Sequence, residues 1–277
     1  MCSTAEYPIV DVAPLLEVGH PDRAASVSAV GAALRTRGFF YASGVNVLPA
    51  DYIRSVYTYA DRCHELPLLV KHEFSQRDGH GAYSGPDIGQ AELAYEAGTV
   101  STVRAWDYSR TRFTLASGDP INSNRYPGAE VIEPPYHEVL DDLYERQNAL
   151  GAALMSAIAE FLGLPAATLS EMFVGGGGEG GGEGGGGDFG TIRLLHYPGP
   201  GASFDESANQ GISPHTDFEA FTLMHQDAPG LQFIPASGEG WVDAPVRPSE
   251  FVVIVGPSGQ VCRTPTIMFL DFPTYIP

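Results

Sequence analysis

Apolar residues recur at helical spacing in three stretches of this sequence. In residues 22–37, Val27, Val30 and Leu34 share one face and Gly38 follows at once, which predicts a helix with a glycine stop. Residues 50–64 predict a second helix, with Ile53, Val56, Ala60 and Cys63 on one face. Residues 136–162 predict the longest, in which Val139, Leu143, Leu150, Leu154, Ile158 and Phe161 keep the helical period. Pro134-Pro135 stands before its start, and Gly163 and Pro165 end it. Its outer face carries Glu138, Asp141, Asp142, Glu145 and Arg146, the charge pattern of a helix that braces a sheet with its other side.

Elsewhere the pattern is that of strands. Pro8-Ile9-Val10-Asp11 reads as a short strand and Gly38-Phe39-Phe40-Tyr41 as a buried one. Residues 75–130 are rich in Gly, Ser, Asp and Pro and read as loops with a few short strands. From Thr191 onward, residues 192–197, 221–225, 231–234 and 251–255 are short apolar or alternating runs separated by Gly, Pro and Asp. That spacing predicts a sandwich or an open barrel. Between the two regimes lies VGGGGEGGGEGGGGDFG, residues 174–190. Glycine at this density cannot pack a core and costs much backbone entropy to fix. It lacks the lysine of a phosphate-cradling GxxxxGK[ST] loop, so it reads as a flexible surface insertion.

A length of 277 residues suits one large domain or two small ones, and 43% hydrophobic with 18% charged residues suits a soluble globular protein. The net charge of −19 repels phosphate backbones and anionic lipid, so neither nucleic acid nor a membrane is expected as partner. Cys2, Cys63 and Cys262 form no C-x-x-C pair and no even set, which argues against a disulfide framework and for a reducing compartment. The opening MCSTAEYPIVDVAPLL has neither a basic region nor a long apolar run. No stretch approaches the roughly 18 apolar residues of a membrane span. The expectation is cytosolic. Oligomeric state is not legible.

The sharpest chemical signal is Ser213-Pro214-His215-Thr216-Asp217. Side chains two apart on an extended segment share a face, so His215 and Asp217 can bite one metal ion. Two histidines and one carboxylate on one triangular face leave coordination positions open, the arrangement of non-haem Fe(II) oxygenases. H-x-D alone is a weak signal that also occurs in surface turns. Its surroundings are more specific. HTDFEAFTLMHQDAPGLQF, residues 215–233, resembles the signature strand pair of the isopenicillin-N-synthase-like family of Fe(II)/2-oxoglutarate-dependent dioxygenases. Arg193-Leu194-Leu195-His196-Tyr197-Pro198 resembles that family's strand ending in Tyr-Pro. YPIVDVAPLL, RGFFYASGV, LPLLVKHEF and Asn124-Arg125-Tyr126-Pro127 follow its N-terminal order, and residues 136–162 resemble its long bracing helix.

The resemblance implies an α+β fold: a double-stranded β-helix, or jelly-roll, core braced by helices and incomplete at its C-terminus. The organisation it suggests is an N-terminal region at 1–115, a bracing helical segment at 116–173, the glycine-rich loop at 174–190 and the core at 191–277. It implies Fe(II), 2-oxoglutarate and O2 as cofactor and cosubstrates and a small organic molecule as substrate, which is hydroxylated, desaturated or ring-closed. His215 and Asp217 take the places of the first two iron ligands. Tyr197 takes the place of a tyrosine that points toward 2-oxoglutarate, and Arg193 a strand position facing the pocket.

The sequence departs from the family at the third ligand. That histidine is expected about 50 to 60 residues beyond Asp217 on a later strand. It should be followed by an Arg-x-Ser whose arginine grips the far carboxylate of 2-oxoglutarate. The last histidine here is His225, eight residues after Asp217 and better read as a core or surface residue. In one alignment of the tail Thr266 stands at the ligand position. In the other, which is preferred, Arg263-Thr264-Pro265 replaces Arg-x-Ser and Met268-Phe269-Leu270-Asp271 matches the family strand. Arg263 would then hold the cosubstrate, and a stretch after Gly256 would be missing, as in a splice variant or gene-model error. The alternative function is a catalytically inactive relative that keeps the fold as a binding module.

Overall fold

The computed structural model describes residues 7–76, 81–92, 100–109, 125–174, 190–199, 209–215, 220–234, 240–256 and 274–276. The glycine-rich segment from 175 to 189, Asp217, Arg263 and Thr266 lie outside the described residues. The chain forms two compact units that interleave in sequence. One takes residues 1–50, 146–176 and 214–276; the other takes residues 51–145 and 177–213. The interleaving is visible in the pairing: two N-terminal strands join a sheet whose other two members come from beyond residue 220.

In the first unit β1 (Ile9–Asp11) pairs parallel with β2 (Phe39–Ser43). Between them lie α1 (Ala13–Leu16) and α2 (Arg23–Arg37). Gly38 ends α2 at φ 73°, a left-handed conformation that favours glycine, and its N–H donates to Leu34 O at 3.0 Å. Midway along α2, Gly31 faces Phe161, and a Cβ there would overlap the Phe161 ring. The close approach of these two helices therefore depends on the missing side chain.

The remaining strands of this unit are β8 (Ile212–His215, which straddles the boundary), β9 (Phe221–Met224), β10 (Gln232–Phe233), β11 (Val242–Asp243), β12 (Phe251–Val255) and β13 (Thr274–Ile276). They make two sheets, β1-β2-β12-β9 and β11-β10-β13-β8. Every residue of β12 is buried, as expected of a strand covered on both faces. On one face Phe39, Tyr41, Val252 and Ile254 pack against Leu231, Phe233 and Ala244. Phe39 and Phe233 stack with centroids 4.2 Å apart. The expectation of sandwiched sheets is met, and among the described residues the strands close no barrel.

The second unit holds α3 (Ala50–His64, whose first residue belongs to the first unit), α4 (Leu68–Glu73), β3 (Tyr83–Ser84), β4 (Val100–Ser101), β5 (Arg104–Ser109), β6 (Thr191–His196) and β7 (Asn209–Gln210). It also takes the first turns of α5 (Tyr136–Phe161), the helix that continues into the first unit. A short α6 (Thr168–Val174) follows α5. Strands β3, β5 and β6 form an antiparallel sheet in that order. Among the described residues no helix is long and apolar enough to cross a membrane.

Candidate functional site

Strand β6 carries two of the residues singled out from the sequence, and its alternation decides where they point. Ile192 and Leu194 are buried, while Thr191, Arg193 and Leu195 are exposed. The register sets Tyr83 opposite Trp106, Trp106 opposite Leu194, and Arg104 opposite His196, so these side chains share one face. Asp107 stands opposite Arg193, and Ala105 opposite Leu195 and Ser84, on the other face.

The first of these faces is a buried polar layer. Trp106 is fully buried and its Nε1–H donates to Cys63 O at 3.1 Å. Tyr83 OH reaches both oxygens of Asp87 at 2.9 and 2.8 Å. Lys71, only 4% exposed, places Nζ 3.5 Å from Asp87 and 5.0 Å from the Tyr83 ring centroid. Burial lowers the Lys71 pKa, against the pull of Asp87. His64 Nε2 lies 2.9 Å from Leu194 O. A carbonyl only accepts, so that nitrogen carries the proton. Burial lowers the His64 pKa to about 4, so the ring is neutral near pH 7.

The opposite face bears Arg193, whose guanidinium is fixed by two carboxylates. Nε donates to Asp107 Oδ1 at 2.9 Å and Nη2 donates to Glu92 Oε1. Gln76 Nε2 donates to the other Asp107 oxygen at 2.8 Å. Burial alone would lower the arginine pKa, and Asp107 and Glu92 more than reverse this, so it is raised. Tyr197 follows one residue past β6 and is half-buried. Arg193 and Tyr197 thus belong to the second unit, and His215 to the first. The sequence pointed to Arg193 but not to Asp107, Glu92 or Gln76. One signal was present: Asp107 is a polar residue within the six-residue run RAWDYS, whose apolar neighbours Trp106 and Tyr108 are buried.

His215 ends β8 and is half-buried. Its partner in the H-x-D pair, Asp217, lies outside the described residues, as does Arg263. His225, the last histidine of the chain, lies just past the end of β9. Its Nε2 meets Pro248 O at 3.3 Å, its ring lies 5.0 Å from that of Phe251, and burial lowers its pKa. Among the described residues no three His, Cys, Asp or Glu side chains are grouped to hold a metal ion. One imidazole placed on a strand and one carboxylate two residues on fit part of an iron site, and residues 226–277 contain no histidine to complete it. The described residues therefore do not by themselves make a three-donor iron centre.

Known proteins share this architecture. Residues 7–109 match the profile described as non-haem dioxygenase in morphine synthesis N-terminal, and residues 190–265 match that of the 2OG-Fe(II) oxygenase superfamily. The chain belongs to the 2-oxoglutarate-dependent dioxygenases of that superfamily. Among its relatives is the clavatol oxidase claD of Penicillium crustosum, 28% identical over 265 residues, with 90% of this chain and 75% of that protein covered. The 2-oxoglutarate-dependent dioxygenase frbA of Dothideomycetidae sp. is 27% identical over 219 residues, with 76% of this chain covered. The aligned part spans 60% of frbA's length. The crystal structure of a full-length Neurospora crassa protein in complex with alpha-KG superposes with a TM-score of 0.76 at 21% identity, covering 98% of this chain and 78% of the Neurospora one. At that identity the likeness establishes the fold.

Proposed function

We propose that this chain serves the Fe(II)- and 2-oxoglutarate-dependent oxidation of a small organic molecule, with His215 and Asp217 as two of the iron ligands. The observation that carries the reading is the match of both family profiles to this chain, with the H-x-D pair inside the second. In such enzymes iron and its cosubstrate supply the oxidising power, and the protein supplies orientation and exclusion of water. Tyr197, beside the exposed face of β6, is the candidate for contact with the cosubstrate. A cytosolic setting fits the same reading, since a reducing compartment keeps iron ferrous and Cys63 is a buried free thiol. The net charge of −19 favours a small molecule over nucleic acid as substrate.

A second reading, a non-catalytic relative that keeps the fold, is favoured by the absence of any histidine from residues 226–277. One assay separates the two. The protein is supplied with Fe(II), 2-oxoglutarate and O2, and succinate is measured against a His215→Ala control. Succinate well above the control supports oxidation; equal amounts support the second reading. Metal binding is followed alongside, and the control is expected to bind at least about tenfold more weakly.

A further inference from the structure

Arg193 is held in a way that defines what it can recognise. Asp107 and Glu92 occupy its Nε and Nη2, leaving Nη1 and its two N–H groups without a hydrogen bond among the described residues. Both oxygens of Asp107 are engaged, one by Arg193 and one by Gln76. Glu92 Oε2 takes no hydrogen bond among the described residues. The cluster of one guanidinium and two carboxylates has a net charge of −1, set within a chain that is itself acidic. The Arg193 side chain is 37% exposed, and Leu195, the next residue on the same face of β6, is also 37% exposed. The open face therefore offers a fixed donor, a nearby free acceptor and an apolar wall.

From this geometry we propose that Arg193 and Glu92 form a substrate-selecting pair. It accepts an uncharged group with a hydrogen-bond acceptor next to a donor, such as a primary amide, and rejects a carboxylate. The assignment rests on the oxidation reading for its role as a substrate site, but the recognition itself needs neither iron nor cosubstrate. An acceptor oxygen of the ligand receives from Arg193 Nη1, and its neighbouring N–H or O–H donates to Glu92 Oε2. A carboxylate can take the first bond but then faces Glu92 and Asp107, whose charges outweigh that of the arginine. Like charges brought together across an interface select strongly against the wrong partner. A free arginine would prefer the anion; an arginine already bound to two carboxylates does not.

The test uses the full chain without metal and two probes of equal shape, para-fluorobenzamide and para-fluorobenzoate, with binding read by fluorine NMR. The amide is expected to bind at least about tenfold more tightly than the benzoate. Glu92→Gln is expected to shrink that preference to about threefold or less, mainly by strengthening benzoate binding. Arg193→Leu is expected to abolish binding of both. Equal binding of the two probes to the unaltered chain, tighter binding of benzoate, no binding of the amide, or a preference unchanged in Glu92→Gln would each overturn the proposal. Asp107→Asn serves as a second charge-removing variant should Glu92→Gln fold poorly. A chain that discriminates the probes but makes no succinate keeps this site and loses the oxidation reading. One that makes succinate without discriminating does the reverse.

Discussion

In the first unit the space between the sheets is filled by Phe39, Val252, Ile254, Leu231 and Phe233. Beneath β3, β5 and β6 in the second unit, the buried side chains are Trp106, Tyr83, Tyr136, His64 and Lys71. The first interior does hold two phenols, but each sends its hydroxyl to a backbone carbonyl: Tyr7 to Asp243 O and Tyr41 to Pro245 O. Its stability rests on apolar contact, which is insensitive to pH and tolerates volume-conserving apolar exchanges best. The second interior places a titratable imidazole, an ammonium and a carboxylate among aromatic rings. Such a layer is rigid while every group is satisfied and costly when one is lost. The other side of that same sheet carries the fixed guanidinium of Arg193, so the polar layer supports the candidate recognition face.

The largest effect that would sharpen this contrast is expected from Trp106→Ala. It removes the indole at the centre of the layer and leaves Cys63 O without its donor, for a loss of about 3–5 kcal/mol. Urea unfolding followed by far-ultraviolet circular dichroism measures it, and a loss below about 1 kcal/mol would show the layer to be peripheral. Acid comes next. The folded pKa of His64, about 4, lies below the ordinary 6.5, so its contribution is fully present above pH 6.5 and is lost as the pH falls toward 4. That shift corresponds to on the order of 3 kcal/mol. The groups around the ring, Lys71, Arg104 and His196, all disfavour a second positive charge. In His64→Gln the slope of stability between pH 4 and 6.5 should flatten; an unchanged slope would place the acid sensitivity elsewhere. The smallest effect belongs to the first unit. Glu160, paired with Arg23 at 2.6 Å on the surface, has a lowered pKa, chiefly from that hydrogen bond. Glu160→Gln is expected to cost below about 1 kcal/mol in a thermal melt.

Much of the framework was legible because long helices repeat their pattern often enough to be seen. The stretch expected at 22–37 is α2 (Arg23–Arg37), that at 50–64 is α3, and that at 136–162 is α5 (Tyr136–Phe161). Helices α1, α4 and α6 are too short to display a period, and β5 lay within a region read mostly as loop. Side-chain roles were harder to read than element type. On α3 Tyr59 is buried where Ala60 was expected, because its hydroxyl bonds Pro134 O at 2.9 Å. On α5 Asp141 and Arg146 were expected to face solvent, yet Asp141 accepts from Tyr108 and Arg146 donates to Val47 O. The Tyr-Pro strand and H-x-D pair were visible as local strings. The partners that govern Arg193 were not, since both are distant in the chain: Asp107 meets it only through the antiparallel register of β5 and β6, and Glu92 comes from a separate segment outside either strand.

The pairing of β2 with β12 bears on how the polypeptide reaches this form during synthesis. Phe39 becomes the neighbour of Ile254, so β2 leaves the ribosome long before the strand it must pair with. Until then Phe39, Phe40 and Tyr41 have no hydrogen-bonding neighbour on that side, an adhesive segment that chaperones would be expected to cover. Slow assembly dominated by distant contacts follows from this stitching, and nascent chains stalled before Phe251 should aggregate more readily than chains that include β12.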